Sequence, residues 1–341
     1  MEENFDLIRA QADLHQQYFI GLQLMVSTRE GPAAVREWMF HLFRRQHEEK
    51  FLSSFRKLGL DGLPDAVASA QYHVLSNTLG GVGVEFMAES DTKAWVRYRY
   101  PRWWLDGAAL CGIPVEAGDG FMRGWHANNG ASLGNPRLGF VCVSEDMTGE
   151  YGFCGYFKEF DRDLSEAERL QYAKDERPPP FDPAAQPKPP AAEWDEARLA
   201  KAYRNYAVEF VRNGVTALSA TLGRDRAVER GVLAARLTGL QQYEHLASSV
   251  GAKDGGVKDA ARFLAAMFEG MGDTVETDIQ ADRAHIHQIG LRIVRGLEGE
   301  TRADLLSCWT AIWKGTIASH RAFMDVHAAV DGENLVWTIS T

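Results

Sequence analysis

The most constraining feature of this 341-residue sequence is a segment that occurs twice, once on each side of a proline-rich stretch near residues 178–190. Four residues recur 191 positions later in the same order: Gly81, Val84, Glu85 and Asp91 as Gly272, Val275, Glu276 and Asp282. Weaker matches follow, Trp125 with Trp309 and Asp146 with Asp331, at slightly shorter spacings that loop deletions would produce. We therefore expect one module in two copies.

Each copy reads as helices followed by strands, which is typical of α+β domains with an antiparallel sheet. The predicted class is α+β, with two tandem homologous domains, each of several helices packed on an antiparallel sheet. The predicted boundaries are residues 1–175 for the first repeat, 176–192 for a stiff proline-rich linker and 193–341 for the second repeat.

Periodicity and turn residues give the following elements. Helices are expected at 5–27, 33–57, 65–79, 121–133, 161–173, 193–211, 226–249, 257–270 and 303–318. Strands are expected at 82–89, 93–99, 138–144, 152–160, 274–279, 284–289, 322–329 and 334–339.

Charge and composition exclude several classes of protein. A net charge of −10 without a Lys/Arg run argues against a nucleic-acid partner. The acidic N-terminus and the lack of a long apolar run predict a cytoplasmic protein without a membrane partner. Four cysteines without CxxC spacing predict reduced thiols. No phosphate-binding loop is present, so we expect no cofactor.

The densest group of polar side chains beside aromatic ones lies at Trp125–Asn135. Here His126 is the candidate general acid/base, Asn128 or Asn129 would orient a carbonyl or carboxylate, and Trp125 would form a wall. The alternative is a capped helix end with asparagines in turns. The matching segment of the second copy, which begins at Trp309, is apolar, so we expect the pocket in the first repeat.

Two cysteines, Cys142 and Cys154, are predicted to face each other across a hairpin, with Glu159 further along the second strand. One of them would be a nucleophile or part of the pocket wall, and His126 is the local group that could lower the pKa of a thiol. The alternative is that both thiols are buried as small apolar groups.

The strongest cationic cluster consists of arginines interleaved with aromatic residues: Arg97, Arg99 and Arg102 with Tyr98, Tyr100, Trp103 and Trp104. Arg97 or Arg99 could clamp an anionic group of a substrate, with Trp104 as a wall. Alternation on a strand equally allows the arginines to face solvent without a ligand.

A metal site is not predicted. His285 and His287 share one face of a strand, but two ligands do not make a site, and the first-repeat positions matched to them, Ala94 and Val96, cannot bind a metal. His47, on the second helix, is predicted to face solvent.

The Gly-x-x-Val-Glu entry into each sheet and the Asp/Gly turns at Asp146–Gly149 and Asp331–Gly332 resemble the small domain of L-2-amino-thiazoline-4-carboxylate hydrolases and 4-vinyl reductase-like proteins. This resemblance implies an α+β domain with a ligand pocket between helices and sheet. The hydrolases of that group open a cyclic C–N bond, whereas the reductase-like members bind small hydrophobic ligands or act in sensing.

We therefore expect a small-molecule enzyme, a hydrolase or acid/base lyase acting on a small organic acid, amide or cyclic amidine. The alternative is a non-catalytic protein that binds or senses a small hydrophobic ligand. Apolar faces on the outer helices would allow a homodimer.

Overall fold

The computed structural model describes residues 5–189, 195–252, 255–320 and 323–341. The last predicted linker residues, the first residues of the predicted second repeat and Ala322, the predicted start of a strand, lie outside them. The protein combines helices (59%) with antiparallel strands (17%), as predicted. The chain forms two compact units, one of Val26–Leu199 and one of Met1–Met25 with Ala200–Thr341.

The unit of Val26–Leu199 contains, after the end of α1 (Phe5–Glu30), these elements: α2 (Pro32–Lys57), α3 (Asp65–Leu79), β1 (Val84–Ser90), β2 (Lys93–Tyr98), α4 (Ala109–Gly112), α5 (Glu116–Gly124), α6 (Asn129–Leu133), β3 (Leu138–Ser144), β4 (Cys154–Glu159) and β5 (Leu170–Tyr172). The sheet order is β1-β2-β4-β3-β5, with β5 parallel to β3 and all other pairs antiparallel. The predicted helix at 65–79 and the predicted strand at 138–144 are confirmed at both ends.

The two faces of this sheet have different neighbours. Tyr98 alternates with Arg97 along β2, and the Tyr98 side contacts α3 through His73. On the opposite side, Glu176 accepts hydrogen bonds from Lys93 and Tyr156, as part of the segment that follows β5. The inner face therefore packs against helices, and the outer face is covered by the chain that leads into the proline-rich stretch.

Two predicted helices of this unit are not single helices in the structure. Residues 121–133 form the end of α5, a 3₁₀ turn at His126–Asn128 and then α6, which packs against β3. A Cβ at Gly130 would lie 2.5 Å from the carbonyl oxygen of Leu138, so only glycine allows this approach. Residues 161–173 do not form a continuous helix. Glu166–Arg169 form a 3₁₀ turn that begins with a Ser165 capping box, and Leu170–Tyr172 pair with β3 as strand β5.

The other unit contains, besides the first part of α1, the following elements: α7 (Glu196–Leu222), α8 (Arg224–Val250), α9 (Val257–Met271), β6 (Thr274–Ile279), β7 (Arg283–Ile289), α10 (Gly299–His320), β8 (Asp325–Asp331) and β9 (Asn334–Ser340). Its sheet order, β6-β7-β9-β8, is the order of β1-β2-β4-β3. Residues before Val26 group here because Tyr18 donates to the carbonyl of Gly231, and His15 accepts a hydrogen bond from Trp309.

Strand pairing changes the predicted matches of both His285 and His287 between the copies. Arg97 lies opposite Glu85, and His287 lies opposite Glu276. His287 therefore corresponds to Arg97 rather than to Val96. A register shift near the end of β1, absent from the β6–β7 pairing, accounts for the one-residue difference.

Candidate functional site

A line of buried polar side chains lies inside the unit of Val26–Leu199. Four different elements supply it, and its members are His47 of α2, His73 of α3, Tyr98 of β2, His126 and Asn128 of the 3₁₀ turn, and Asn129 of α6. All six side chains are buried. Because buried polar groups are costly unless they are paired, such a line is stable only if its members bond to one another.

Hydrogen bonds join these six residues in one sequence. His47 lies between the two amides, with Nδ1 3.1 Å from Nδ2 of Asn128 and Nε2 3.2 Å from Oδ1 of Asn129. Nδ2 of Asn129 is 3.4 Å from Nε2 of His73. The hydroxyl of Tyr98 then bridges the two remaining histidines, 3.0 Å from Nδ1 of His73 and 3.2 Å from Nε2 of His126.

The imidazoles of His73 and His126 are stacked, with centroids 4.0 Å apart and planes within 8° of each other. Phe157 stacks against His73 at 5.3 Å. Burial lowers the pKa of His47 to about 4 and of His73 to about 3. Burial, helped by the nearby His73 and Arg102, holds the pKa of His126 well below its usual range. These three rings are therefore neutral near pH 7.

Two nitrogen atoms at this site are buried without a hydrogen-bond partner among the described residues: Nδ1 of His126 and Nε1 of Trp125. Trp125 packs edge-on against His47, with centroids 5.3 Å apart. A buried donor without an acceptor costs on the order of 1–3 kcal/mol. Such a cost is offset when a bound molecule supplies the acceptor.

A buried cation lies on the other side of His126. The Arg102 side chain is only 1% exposed, and Nη1 donates to Oδ1 of Asp146 at 2.5 Å. The guanidinium carbon lies 4.7 Å from the ring centre of Tyr98, 5.8 Å from Phe121 and 5.4 Å from Phe153.

These three rings are also the neighbours of His126, at centroid distances of 6.1, 4.6 and 5.5 Å. Nε of Arg102 is buried and has no hydrogen-bond partner in the described part of the chain. Arg102 and His126 thus each have a buried nitrogen without a partner, and both lie against the same three rings, which form an aromatic enclosure.

A shallow apolar pocket opens beside this enclosure. Trp104, Met122 and Phe153 line it, and Asp146 lies at its edge. The free space is on the order of one water molecule. Any larger ligand therefore requires Phe153 or the turn that carries Asp146 to move.

The structure brings together five of the residues singled out in the sequence. Trp125, His126, Asn128 and Asn129 lie in or against the polar line, and Trp104 stacks on Arg102, with the guanidinium carbon 4.5 Å from its ring centre. The other candidates lie elsewhere.

Arg97 and Arg99 both lie near the carboxylate of Glu85, at 3.8 and 3.6 Å, rather than at His126. Arg97 alternates with Tyr98 on β2 and so points to the opposite face of the sheet. Glu159 accepts a hydrogen bond from Arg137 and another, at 3.3 Å, from Asn135.

The two cysteines are not opposite each other. Cys142 pairs with Gly155 and Cys154 with Ser144, because a bulge shifts the register of β3 against β4. Cys154 packs in a cluster with Val141 and Val143, the sequence neighbours of Cys142, and so lies on the other face of the sheet. Burial raises the pKa of both thiols, to about 12 for Cys154. The two thiols are therefore protonated near pH 7.

His285 and His287 lie on β7, where His285 is partly exposed and His287 is exposed. Nδ1 of His285 is 3.2 Å from the hydroxyl of Thr338. No group of three or more His, Cys, Asp or Glu suited to a metal ion occurs within the described ranges.

Sequence reasoning missed His47 and His73 as members of the site and placed Asp146 only in a turn. It included Tyr98 and Arg102 in the arginine–aromatic cluster but chose Arg97 or Arg99 as the anion clamp. The prediction that His47 faces solvent is wrong, since it is 1% exposed. A signal was present: Phe43, His47 and Phe51 follow one another at intervals of four, which places His47 on the apolar stripe of α2.

No protein family model and no curated protein matches this chain. No helix in the described ranges combines the length and the apolar character needed to cross a membrane. What the site does must therefore be argued from its own atoms.

Proposed function

We propose that the protein is a small-molecule enzyme that acts on a small organic acid, bound within the unit of Val26–Leu199 between Arg102 and His126. One observation carries this proposal: two buried nitrogens without partners, Nε of Arg102 and Nδ1 of His126, border the same three aromatic rings. Nε of Arg102 is a donor, and we propose that Nδ1 of His126 is one too. A carboxylate offers acceptors to both donors, and an apolar body fits the rings.

Charge supports an anion over a neutral ligand. The Arg102 guanidinium carries a positive charge, and Asp146 occupies only one of its nitrogens in the hydrogen bonds described. Asp146 balances that charge, so what a substrate carboxylate adds is an acceptor for Nε of Arg102 in a charge-assisted hydrogen bond. The neutral imidazole of His126 then contacts the other end of the carboxylate or an adjacent carbonyl oxygen.

The same position in the other unit lacks this chemistry. At the spacings found in the sequence, His73 corresponds to Leu264 and Asn129 to Trp313. We propose that both units derive from one duplicated module and that only the unit of Val26–Leu199 kept, or acquired, the polar line. The identical strand order of the two sheets supports this origin.

The test is a thermal-shift and calorimetric screen of small monocarboxylates such as benzoate, phenylacetate and hexanoate, with the matching primary alcohols as neutral controls. We expect saturable stabilisation by acids and none by alcohols. Arg102→Met should weaken binding on the order of 100-fold, because it removes the buried cation. Arg99→Met, which changes an arginine outside the enclosure, should leave binding unchanged.

Turnover separates the enzyme from the alternative, a non-catalytic binding protein. Carboxylate-bearing amides and cyclic amidines, the substrates that the hydrolase resemblance suggests, are incubated with the protein and followed by proton NMR. Loss of substrate that disappears in Arg102→Met supports the enzyme. Saturable binding without chemical change supports the binding protein, and stabilisation by alcohols as strong as by acids contradicts the proposed ligand class.

A further inference from the structure

We infer that Asn128, His47, Asn129, His73 and Tyr98 act as positioning residues that fix the proton of His126 on Nδ1, so that His126 offers the site a hydrogen-bond donor. The use of that donor for a carboxylate rests on the proposed function. The position of the proton does not, because it follows from the hydrogen bonds within the protein alone.

The assignment of donors and acceptors starts at the contact between Asn128 and His47. The nitrogen of the Asn128 amide only donates, so Nδ1 of His47, 3.1 Å away, accepts. A neutral imidazole carries one proton, which must then be on Nε2 of His47. That nitrogen faces the carbonyl oxygen of Asn129 at 3.2 Å, to which it donates.

Asn129 then determines which nitrogen of the next ring, His73, carries the proton. Its amide nitrogen donates to Nε2 of His73 at 3.4 Å, which leaves the proton of His73 on Nδ1. Nδ1 of His73 donates to the oxygen of Tyr98 at 3.0 Å. The single hydroxyl proton of Tyr98 is then directed to Nε2 of His126, 3.2 Å away.

His126 therefore accepts at Nε2 and carries its own proton on Nδ1, the buried atom that has no partner in the described structure. With this assignment Nδ1 of His126 is an N–H group. Like Nε–H of Arg102, it is buried and requires an acceptor. A neutral imidazole that donates to an oxygen can polarise a carbonyl without transferring a proton first. Desolvation keeps the ring in that neutral form.

The line also explains how a distant residue controls His126. To reverse the direction of these hydrogen bonds, the carbonyl and amino groups of Asn129 would have to exchange their roles as acceptor and donor. Asn129→Asp imposes this change, since a carboxylate accepts from both His47 and His73. The proton of His73 then moves to Nε2, the Tyr98 hydroxyl turns to His73, and the proton of His126 moves to Nε2.

The first experiment measures the protein without ligand. Long-range ¹H–¹⁵N correlation spectra of the ¹⁵N-histidine-labelled protein at pH 7 distinguish the two neutral tautomers. Signals are assigned by their loss in His73→Gln and His126→Gln. We expect the proton on Nε2 of His47 and on Nδ1 of His73 and His126. A proton on Nε2 of His126 in the wild-type protein overturns the inference.

The second experiment tests the control through the line. In Asn129→Asp we expect His126 to change to the Nε2–H tautomer. In Tyr98→Phe, which removes the bridging hydroxyl, adding Asn129→Asp should leave the tautomer of His126 unchanged. An Asn129→Asp protein that folds and keeps the Nδ1–H tautomer overturns the positioning role, as does an effect that survives Tyr98→Phe.

If Asn129→Asp does not fold, the wild-type tautomers decide the question. The two proposals also fail separately. Absence of carboxylate binding overturns the proposed function and leaves the tautomers as measured. A wrong tautomer overturns the positioning role even where carboxylates bind.

Discussion

At the scale of single residues, burial decides what each candidate side chain can do. Cys142 and Cys154 are buried, and their raised pKa values keep them as thiols, which are poor nucleophiles. His126 is buried beside partners that define its proton. The proposed role of this site therefore rests on the nitrogens of Arg102 and His126 rather than on these two thiols.

Thiol labelling checks this conclusion. Cys111 is exposed, whereas Cys142, Cys154 and Cys308 are buried with raised pKa values. At pH 8 we expect iodoacetamide to modify one thiol per native molecule quickly, and mass spectrometry of peptides to locate it at Cys111. Cys111→Ser should abolish the fast phase. Rapid labelling of Cys142 in the native protein would restore it as a candidate nucleophile.

The site residues that sequence reasoning found are those that are close in the chain. His126, Asn128 and Asn129 stand out because these three polar residues lie within four positions after Trp125. Their partners His47 and Tyr98 lie 79 and 28 positions from His126, and only tertiary packing brings them together. Local patterns carry no information about which distant side chains share a hydrogen bond.

At the scale of elements, the same distinction holds. α3 was predicted at both ends because the glycines after Leu79 end the helix locally. Residues 161–173 were predicted as a helix, but pairing with β3 determines their structure. Helix α5 positions His126, and its contact with α2 depends on glycines: a Cβ at Gly120 would lie 2.3 Å from the carbonyl oxygen of Arg36.

Two substitutions within α5 test this close approach. Gly120→Ala places a methyl group against the backbone of α2, so we expect destabilisation of about 1–3 kcal/mol. Gly118→Ala, in the same helix, meets nothing within 4 Å and should stabilise the protein by about 0.5 kcal/mol. Urea denaturation of both variants makes the comparison. Equal effects of the two substitutions would show that α5 is not held closely against α2.

At the scale of the whole molecule, the two units share a strand order but bury different groups. The unit of Val26–Leu199 buries three histidines in one polar line. The other unit buries Trp309, Trp313 and Trp337 near Phe268, together with His15. Both units therefore contain imidazoles that are neutral when folded, and the chain as a whole takes up protons when it unfolds in weak acid.

This uptake gives the stability a defined pH dependence. Burial lowers the pKa of His15 and His47 to about 4 and of His73 to about 3, and it holds the pKa of His126 well below its usual range. A lowered pKa in the folded state means that the stabilisation is complete above pH 6.5 and is lost as the pH falls through the folded values. Asp273 opposes this trend, because burial raises its pKa to about 6 and it releases a proton on unfolding at pH 5.

At pH 5 we expect unfolding to bind roughly three protons net, so that the free energy of unfolding rises by about 4 kcal/mol per pH unit near that pH and levels off above pH 7. Denaturant titrations between pH 5 and 8 measure this slope. Asp273→Asn should make the slope steeper, by roughly one proton, because it removes the opposing group. A stability that is constant between pH 5 and 6.5 would mean that the histidines are not buried in neutral form, and the polar line described above could not exist.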